Sequence, residues 1–395
     1  MKPTSAAVRS LINMTFVRLE ETAVNGKAKF VADRVGSARH DFRMAIDEGV
    51  RRRVKTYPST PRRFNPATAS AAELARHGLP QRPDPQTNPQ GALLWKRAFG
   101  RPMRFVEAKL APAPAKSRLT HTALPGPVQP GPQGLAPADS TYANIGANWA
   151  GAVRTVAAGS DYSDPATMVF ASWVVPEVAV LGPAGETMSV GFWVGLDGSP
   201  LVSDPIAANQ VLQAGVKADV YTGGWWPWDN GHVDWWAFGE WYAQVPEADQ
   251  NGILPQQIKN LPVQPGDTIV AVVCAAEPDL GVITVANLTR GRGASLAIPA
   301  PPGYVSRGQS AEWVVEVPLQ SPNIPYFAPV TFTDCTAGSL QDGVFHLEGV
   351  NVVEIESKVT PPKSGPYPSP PVDYTQTSIA SATTVVVVEI GTDWS

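Results

Sequence analysis

From residue 141 onward the chain is written in short β-rich runs that alternate with Gly, Pro, Asp and Asn. Such runs span Thr167 to Val175, Ser189 to Gly195, Val211 to Tyr221, Thr268 to Cys274, Gly281 to Leu288, Glu312 to Val317, Val330 to Phe332, Val350 to Ile355 and Thr383 to Ile390. A side-chain period of two belongs to strands, because successive Cβ atoms point to opposite faces. No helical text separates the runs, which argues for an all-β sandwich or barrel. The 40 Pro favour loops and β architecture over long helices.

Before residue 141 the text is different. Residues 1–140 hold 23 Lys+Arg and 10 Asp+Glu, a net of +13. Residues 141–395 hold 8 and 25, a net of -17, and the two sum to the chain's -4. Residues 4–55 read as a basic helical extension. Ser70 and Glu73 form a capping-box pattern for a short helix that stops near Gly78. Seven Pro between 111 and 137, among Ala and Gly, mark a linker. The expected organisation is a basic, partly helical extension over 1–110, a Pro-rich linker over 111–140 and a β domain over 141–395. Unlike charges on the two parts attract, most strongly at low salt and near neutral pH.

Several functions find no support. No stretch of 18 apolar residues appears, so no membrane span is expected. Arg9 and Arg18 interrupt any signal-peptide core. The basic extension lacks the aromatic interleaving of a nucleic-acid binder. No phosphate loop or paired Cys ligands occur, and no cofactor is expected. His232 and His346 lie in no triad context. Asp229, His232 and Asp234 are near enough in sequence to hold a metal, but such loop residues read better as solvated, and no metal is expected. Cys274 and Cys335 could be free or bridged.

Two strands carry informative polar groups. In Ser310–Val317, alternation puts Ser310, Glu312, Val314 and Glu316 on one face and Ala311, Trp313, Val315 and Val317 on the other. The second face is apolar and belongs in the core. Gln213 shares a face with Val211 and Gly215. A lone buried Gln must satisfy its amide or lose roughly 1–3 kcal/mol, so a polar group on the next strand is expected. Trp225, Trp226, Trp228, Trp235, Trp236 and Trp241 crowd one segment, lining either a cleft or the sandwich rim.

Five segments, in order, resemble the glutamic peptidases, or eqolisins. They are Asn148-Trp149-Ala150-Gly151-Ala152, Trp193-Val194-Gly195-Leu196-Asp197-Gly198, Leu212-Gln213-Ala214-Gly215-Val216, Trp241-Tyr242 and Ala311-Glu312-Trp313-Val314-Val315-Glu316. The resemblance covers about residues 141–395. It implies a two-sheet antiparallel β-sandwich, concanavalin A-like (lectin-like), and an acid-acting endopeptidase. Its catalytic pair would be Gln213 and Glu312, with Trp193, Asp197, Trp241 and Tyr242 at the substrate. The sequence departs from the family's longer aromatic motif at Ala243, Gln244 and Val245. The resemblance further implies polypeptide substrates, secretion or an acidic compartment, and a removable pro-segment, a role that residues 1–140 would fit; a monomer is the separate expectation for the assembled chain. Two other readings stand beside it. One is a lectin-like module or inactive homologue. The other is a sandwich glycosidase using Glu312 and Glu316, which lacks a middle acid at Val314.

Overall fold

The computed structural model describes residues 53–113, 128–129, 141–146, 148–155, 165–180, 185–223, 230–243, 255–317, 325–339, 343–347, 352–359, 372–373 and 375–389. They form two open sheets. Along the first run β1 (Lys55–Thr56), β14 (Arg292–Pro299), β13 (Leu280–Asn287), β12 (Thr268–Glu277), β7 (Met168–Val174), β16 (Val330–Ser339), β21 (Thr384–Glu389) and β20 (Thr375–Ser381). β2 (Arg104–Phe105) pairs with β14, and β17 (Gly343–Phe345) with β16.

Along the second run β3 (Leu110–Pro112), β11 (Gln256–Ile258), β10 (His232–Ala243), β9 (Gln210–Tyr221), β8 (Thr187–Leu196), β15 (Ser310–Glu316), β6 (Trp149–Thr155), β18 (Val352–Val359), β5 (Thr141–Gly146) and β4 (Val128–Gln129). β19 (Val372–Asp373) pairs with β18. Pairing is antiparallel except for β2 with β14 and β5 with β18.

The sheets stack as a sandwich on one apolar core. Its residues alternate along the strands because successive side chains point to opposite faces. Val169, Ala171 and Trp173 of β7 enter it from one side, and Ala311, Trp313 and Val315 of β15 from the other. Trp313 is fully buried, and its indole donates across the core to the Phe170 carbonyl at 2.9 Å. A buried Trp withdraws about 150–250 Å² from water, roughly 4–6 kcal/mol before ordering costs. The indole N–H has a partner, so this burial carries no polar penalty.

The extension adds a third layer. α1 (Ala71–Arg76) starts at Ser70, whose hydroxyl accepts from the Glu73 amide while the Glu73 carboxylate accepts from the Ser70 amide. This is the capping box expected from the sequence. α2 (Pro89–Phe99) is capped by Asn88, with Pro89 opening the helix. Leu74, Leu94, Trp95, Phe99 and Phe105 share a buried cluster with Met168, Phe170, Val270 and Val272 on the first sheet's outward face. Strands β7 and β12 are therefore covered on both faces, which explains why they read as almost unbroken apolar text.

The linker boundary differs from the sequence reading. Leu110–Pro112 forms an edge strand on β11, and Val128–Gln129 pairs with β5. Pro112 is tolerated because it lies on an edge strand. Residues 4–52 of the basic helical reading lie outside the described residues. No described helix is long and apolar enough to cross a membrane. Cys274 and Cys335 are both free thiols. Cys274 packs with the outward-face cluster and Cys335 lies between the sheets, so the two occupy opposite faces of one sheet.

Candidate active site

Strand register, which a sequence read strand by strand does not supply, assembles the site. Glu240 of β10 is opposite Gln213 of β9, Gln213 is opposite Gly195 of β8, Gly195 is opposite Glu312 of β15, and Glu312 is opposite Val153 of β6. One row across the second sheet thus brings Gln213 and Glu312 to either side of a glycine. Two strand spacings put their backbones roughly 10 Å apart. A Cβ on Gly195 would come within 2.9 Å of both the Trp193 ring and a Val211 methyl. The Trp193 ring and a Val211 methyl therefore take up the space over Gly195, in the middle of the row that carries the two polar side chains.

These residues share the second sheet's far face, away from the sandwich core. Trp149, Val153, Trp193, Val211, Phe238, Tyr242 and Val314 form an apolar cluster there, joined by Ala113 from the end of β3. Gln213 is 3% exposed and Glu312 0%, so the pair is shut off from solvent in the intact chain.

Gln213 has the partner expected on the next strand. Its Nε2 donates to Glu240 Oε2 at 2.8 Å. A carboxylate only accepts, so this bond decides which way the amide points. Gln213 Oε1 and both Glu312 carboxyl oxygens are buried with no hydrogen-bond partner among the described residues. Burial raises the Glu312 pKa well above the ordinary carboxylate range, and the charge of Asp197 adds to the rise. Ser310, two residues back on the same strand, opposes the rise more strongly than Asp197 adds to it, although its hydroxyl closes no hydrogen bond with the carboxyl.

A second polar row lies four residues along the same strands. Lys217 of β9 and Glu316 of β15 flank Gly191 of β8. Glu316 accepts from the Trp193 indole at 2.9 Å and from Asn148 Nδ2 at 3.1 Å. Burial pushes its carboxyl up to about 7, while Trp149, Trp193, Lys217 and Asn148 oppose the shift. Lys217 Nζ lies 3.6 Å from Asp219, and burial brings its ammonium down to about 8 against the pull of Asp219, Glu316 and Glu240. Asp219 in turn accepts from Ser189 at 2.7 Å and the Trp236 indole at 2.8 Å.

The other sequence-derived candidates divide by face. Trp193 stands on the far face, one alternation from Gly195, with its indole edge-on to Trp149 at 5.0 Å. Tyr242 is on that face too. Trp241 is not: its ring lies between the sheets and its N–H donates to Gln210 at 3.0 Å. Adjacent residues of a strand cannot share a face. Asp197 takes a left-handed turn conformation, φ 66°, just past β8. Its carboxylate accepts from the amides of Arg307 and Gln309 at 2.8 and 2.9 Å, which ties down the approach to β15 and hence Glu312.

Of the Trp-rich segment, Trp225, Trp226, Trp228 and Asp229 lie outside the described residues. His232 Nε2 lies 3.7 Å from the Asp234 carboxyl on the surface, and no metal-binding cluster occurs among the described residues. Sequence reasoning missed Glu240 and Lys217. Both were legible as charged residues inside apolar strands, but their pairing depends on register.

Residues 147–388 match the model of the Peptidase A4 family. Among solved structures, scytalido-glutamic peptidase with a transition-state analogue is 23% identical, with a TM-score of 0.43, over 62% of this chain and 98% of that one. SCP-B, a member of the eqolisin family in complex with a tripeptide, is 21% identical with a TM-score of 0.40 over the same shares. The aspergilloglutamic peptidase of Aspergillus niger is 22% identical with a TM-score of 0.36, over 51% of this chain and 99% of that one. No curated protein sequence matches.

Proposed function

Since this chain belongs to the Peptidase A4 family and is a glutamic peptidase, we propose that it hydrolyses peptide bonds with Gln213 and Glu312 and is made as a latent, acid-acting precursor. The observation that carries the reading is the row Gln213–Gly195–Glu312, with three buried oxygens lacking partners on its two polar side chains. Buried polar atoms without partners are rare and call for a functional explanation.

Hydrolysis needs an activated water, a donor for the oxyanion and a proton for the leaving nitrogen. A peptide and a water entering between the two side chains would meet all three. Ionised Glu312 takes a proton from the water as it attacks the carbonyl carbon. The Gln213 N–H that is not used by Glu240 donates to the oxyanion. Glu312 then passes its proton to the departing amine. Glu240 serves as a positioning residue, because it keeps the Gln213 nitrogen, rather than its oxygen, in a fixed place. Trp193 and Tyr242 would contact substrate from the same face, with Asp197 and Trp241 supporting it from outside and below.

The closed site supports latency. Substrate reaches Glu312 only after the far face is uncovered. Uncovering rehydrates the carboxyl and lowers its pKa toward the ordinary range, so the base form returns in acid. A group whose pKa is raised by burial is easier to bury when protonated, so Glu312 by itself favours the closed state as pH falls. Acid opening must then come from other groups, such as ion pairs between the basic leader and the acidic domain.

The glycosidase alternative loses its second carboxylate. Glu316 is engaged by Trp193 and Asn148 and sits four strand positions from Glu312. An inactive homologue is separated by assay. The chain is incubated at acid pH with denatured protein, with and without pepstatin. Pepstatin-resistant cleavage that disappears in both Glu312→Gln and Gln213→Ala is expected. Full activity in either variant would rule out the pair.

A further inference from the structure

The opposite net charges of the two parts suggest a leader held by electrostatics and shed in acid. The contacts of residues 53–113 are of another kind. Trp95 and Phe99 of α2 are buried, at 3% and 1% exposure, in one cluster with Phe170 and Val272 of the first sheet. None of these four titrates. The backbone is also stitched into both sheets. β1 and β2 pair with β14, and β3 pairs with β11. Backbone hydrogen bonds next to these strands, such as Val106 N to the Gly293 carbonyl at 2.8 Å and Lys259 N to the Lys109 carbonyl at 2.9 Å, do not depend on pH either. Among the described residues, Arg97 pairs with Asp334 across the two parts; the guanidinium end is half exposed, and partly solvated pairs of this kind contribute little.

This arrangement persists although residues 53–113 carry 11 Lys+Arg against 3 Asp+Glu. Their charge is spread over the surface, and their attachment is apolar. Apolar burial survives acid and is strengthened by salts that are excluded from protein surfaces. Removing the segment would also expose the outward faces of β7 and β12, a contiguous apolar patch of the kind that soluble monomers rarely show.

We propose that the outward face of the first sheet is a permanent binding surface for residues 53–113, so that cutting the chain beyond Ala113 yields a two-chain complex and not a free domain. The inference takes its setting from the latent-peptidase reading, but the contact itself stands independently of it. The releasable part of the leader then begins after Ala113, where β3 delivers the chain to the cluster beside the catalytic row.

The test uses the full chain carrying Glu312→Gln, with the recognition sequence of an added site-specific protease inserted after Ala113. The nicked protein is run on a sizing column at pH 7 in low salt, at pH 7 in about 1 M NaCl, where the Debye length is about 3 Å, and at pH 3.5. Co-elution of both fragments under all three conditions is expected. Separation in high salt or acid, with the larger fragment still folded by near-UV circular dichroism, would overturn the proposal. Arg97→Ala is expected to leave co-elution intact, and its loss there would make the tie electrostatic. Trp95→Ala with Phe99→Ala, introduced into the nicked form, is expected to release the smaller fragment, and unchanged co-elution would show that the tie lies elsewhere. Self-cleavage by the unmodified chain is scored separately. Its absence would count against the latent-peptidase reading without touching the sizing result.

Discussion

Replacing Glu316 by Gln should remove a block of acid-linked stability. The wild-type carboxyl sits at about 7 in the folded chain because burial disfavours its charge. In the unfolded chain it titrates near its ordinary value of 4.5. Between those two values the folded state holds the proton and the unfolded state has lost it. Stability therefore falls as pH rises from about 4.5 to about 7, and the contribution is constant outside that window. A gap of about 2.5 units at 1.36 kcal/mol per unit gives roughly 3 kcal/mol across the window. The amide introduced by Glu316→Gln does not titrate, so the variant's curve should be flatter by that amount.

The variant also pays locally. Trp193 and Asn148 both donate to Glu316. A Gln offers one oxygen and one NH₂ group, so one donor loses its acceptor at a cost of about 1–3 kcal/mol. The assay is urea unfolding at pH 4.5, 5.5, 6.5 and 7.5, in a Glu312→Gln background that prevents self-digestion. The quantity read is the difference between the two stability curves. A pH-independent difference would mean that Glu316 does not carry the raised pKa, and the account of the second polar row would be wrong.

Three further outcomes rest on the same geometry. Glu240→Gln should lower kcat by about 10²-fold, the scale of a misplaced oxyanion donor, with little change in KM; steady-state kinetics showing normal kcat would remove Glu240 from the positioning role. Gly195→Val should collide with the Trp193 ring and the Val211 methyl that lie over the glycine, costing about 1–3 kcal/mol and abolishing cleavage; a folded, active variant in a peptide assay would contradict the row as the reaction site. Lys217→Met should leave the buried Asp219 without its counter-charge and destabilise the fold by about 3–5 kcal/mol at pH 7; chemical denaturation at that pH checks the size and the sign.

Much of this protein is written locally. Alternation along Ser310–Glu316 sent Trp313 to the core and Glu312 to the opposite face without any knowledge of neighbours, because side-chain direction in a strand depends only on residue parity. The same rule placed Gln213 beside Val211 and called for a polar partner on the next strand. The capping box at Ser70 was equally local, since all its bonds close within four residues. Parity also speaks to Trp241 and Tyr242: being adjacent, they had to part company, and it took the packing to show that Tyr242 keeps the far face of the second sheet.

What tertiary structure decided is which strands are neighbours. Gln213 and Glu312 are 99 positions apart, and their meeting across Gly195 rests on β8 lying between β9 and β15. Pairing of distant strands follows from the whole set of apolar faces that must be buried together, so no single segment encodes it. The same holds for the extension. Its charge suggested a loosely held leader, but net charge is a sum over the surface, whereas attachment depends on which side chains are buried. For residues 53–113 those are Trp95, Phe99 and their apolar neighbours.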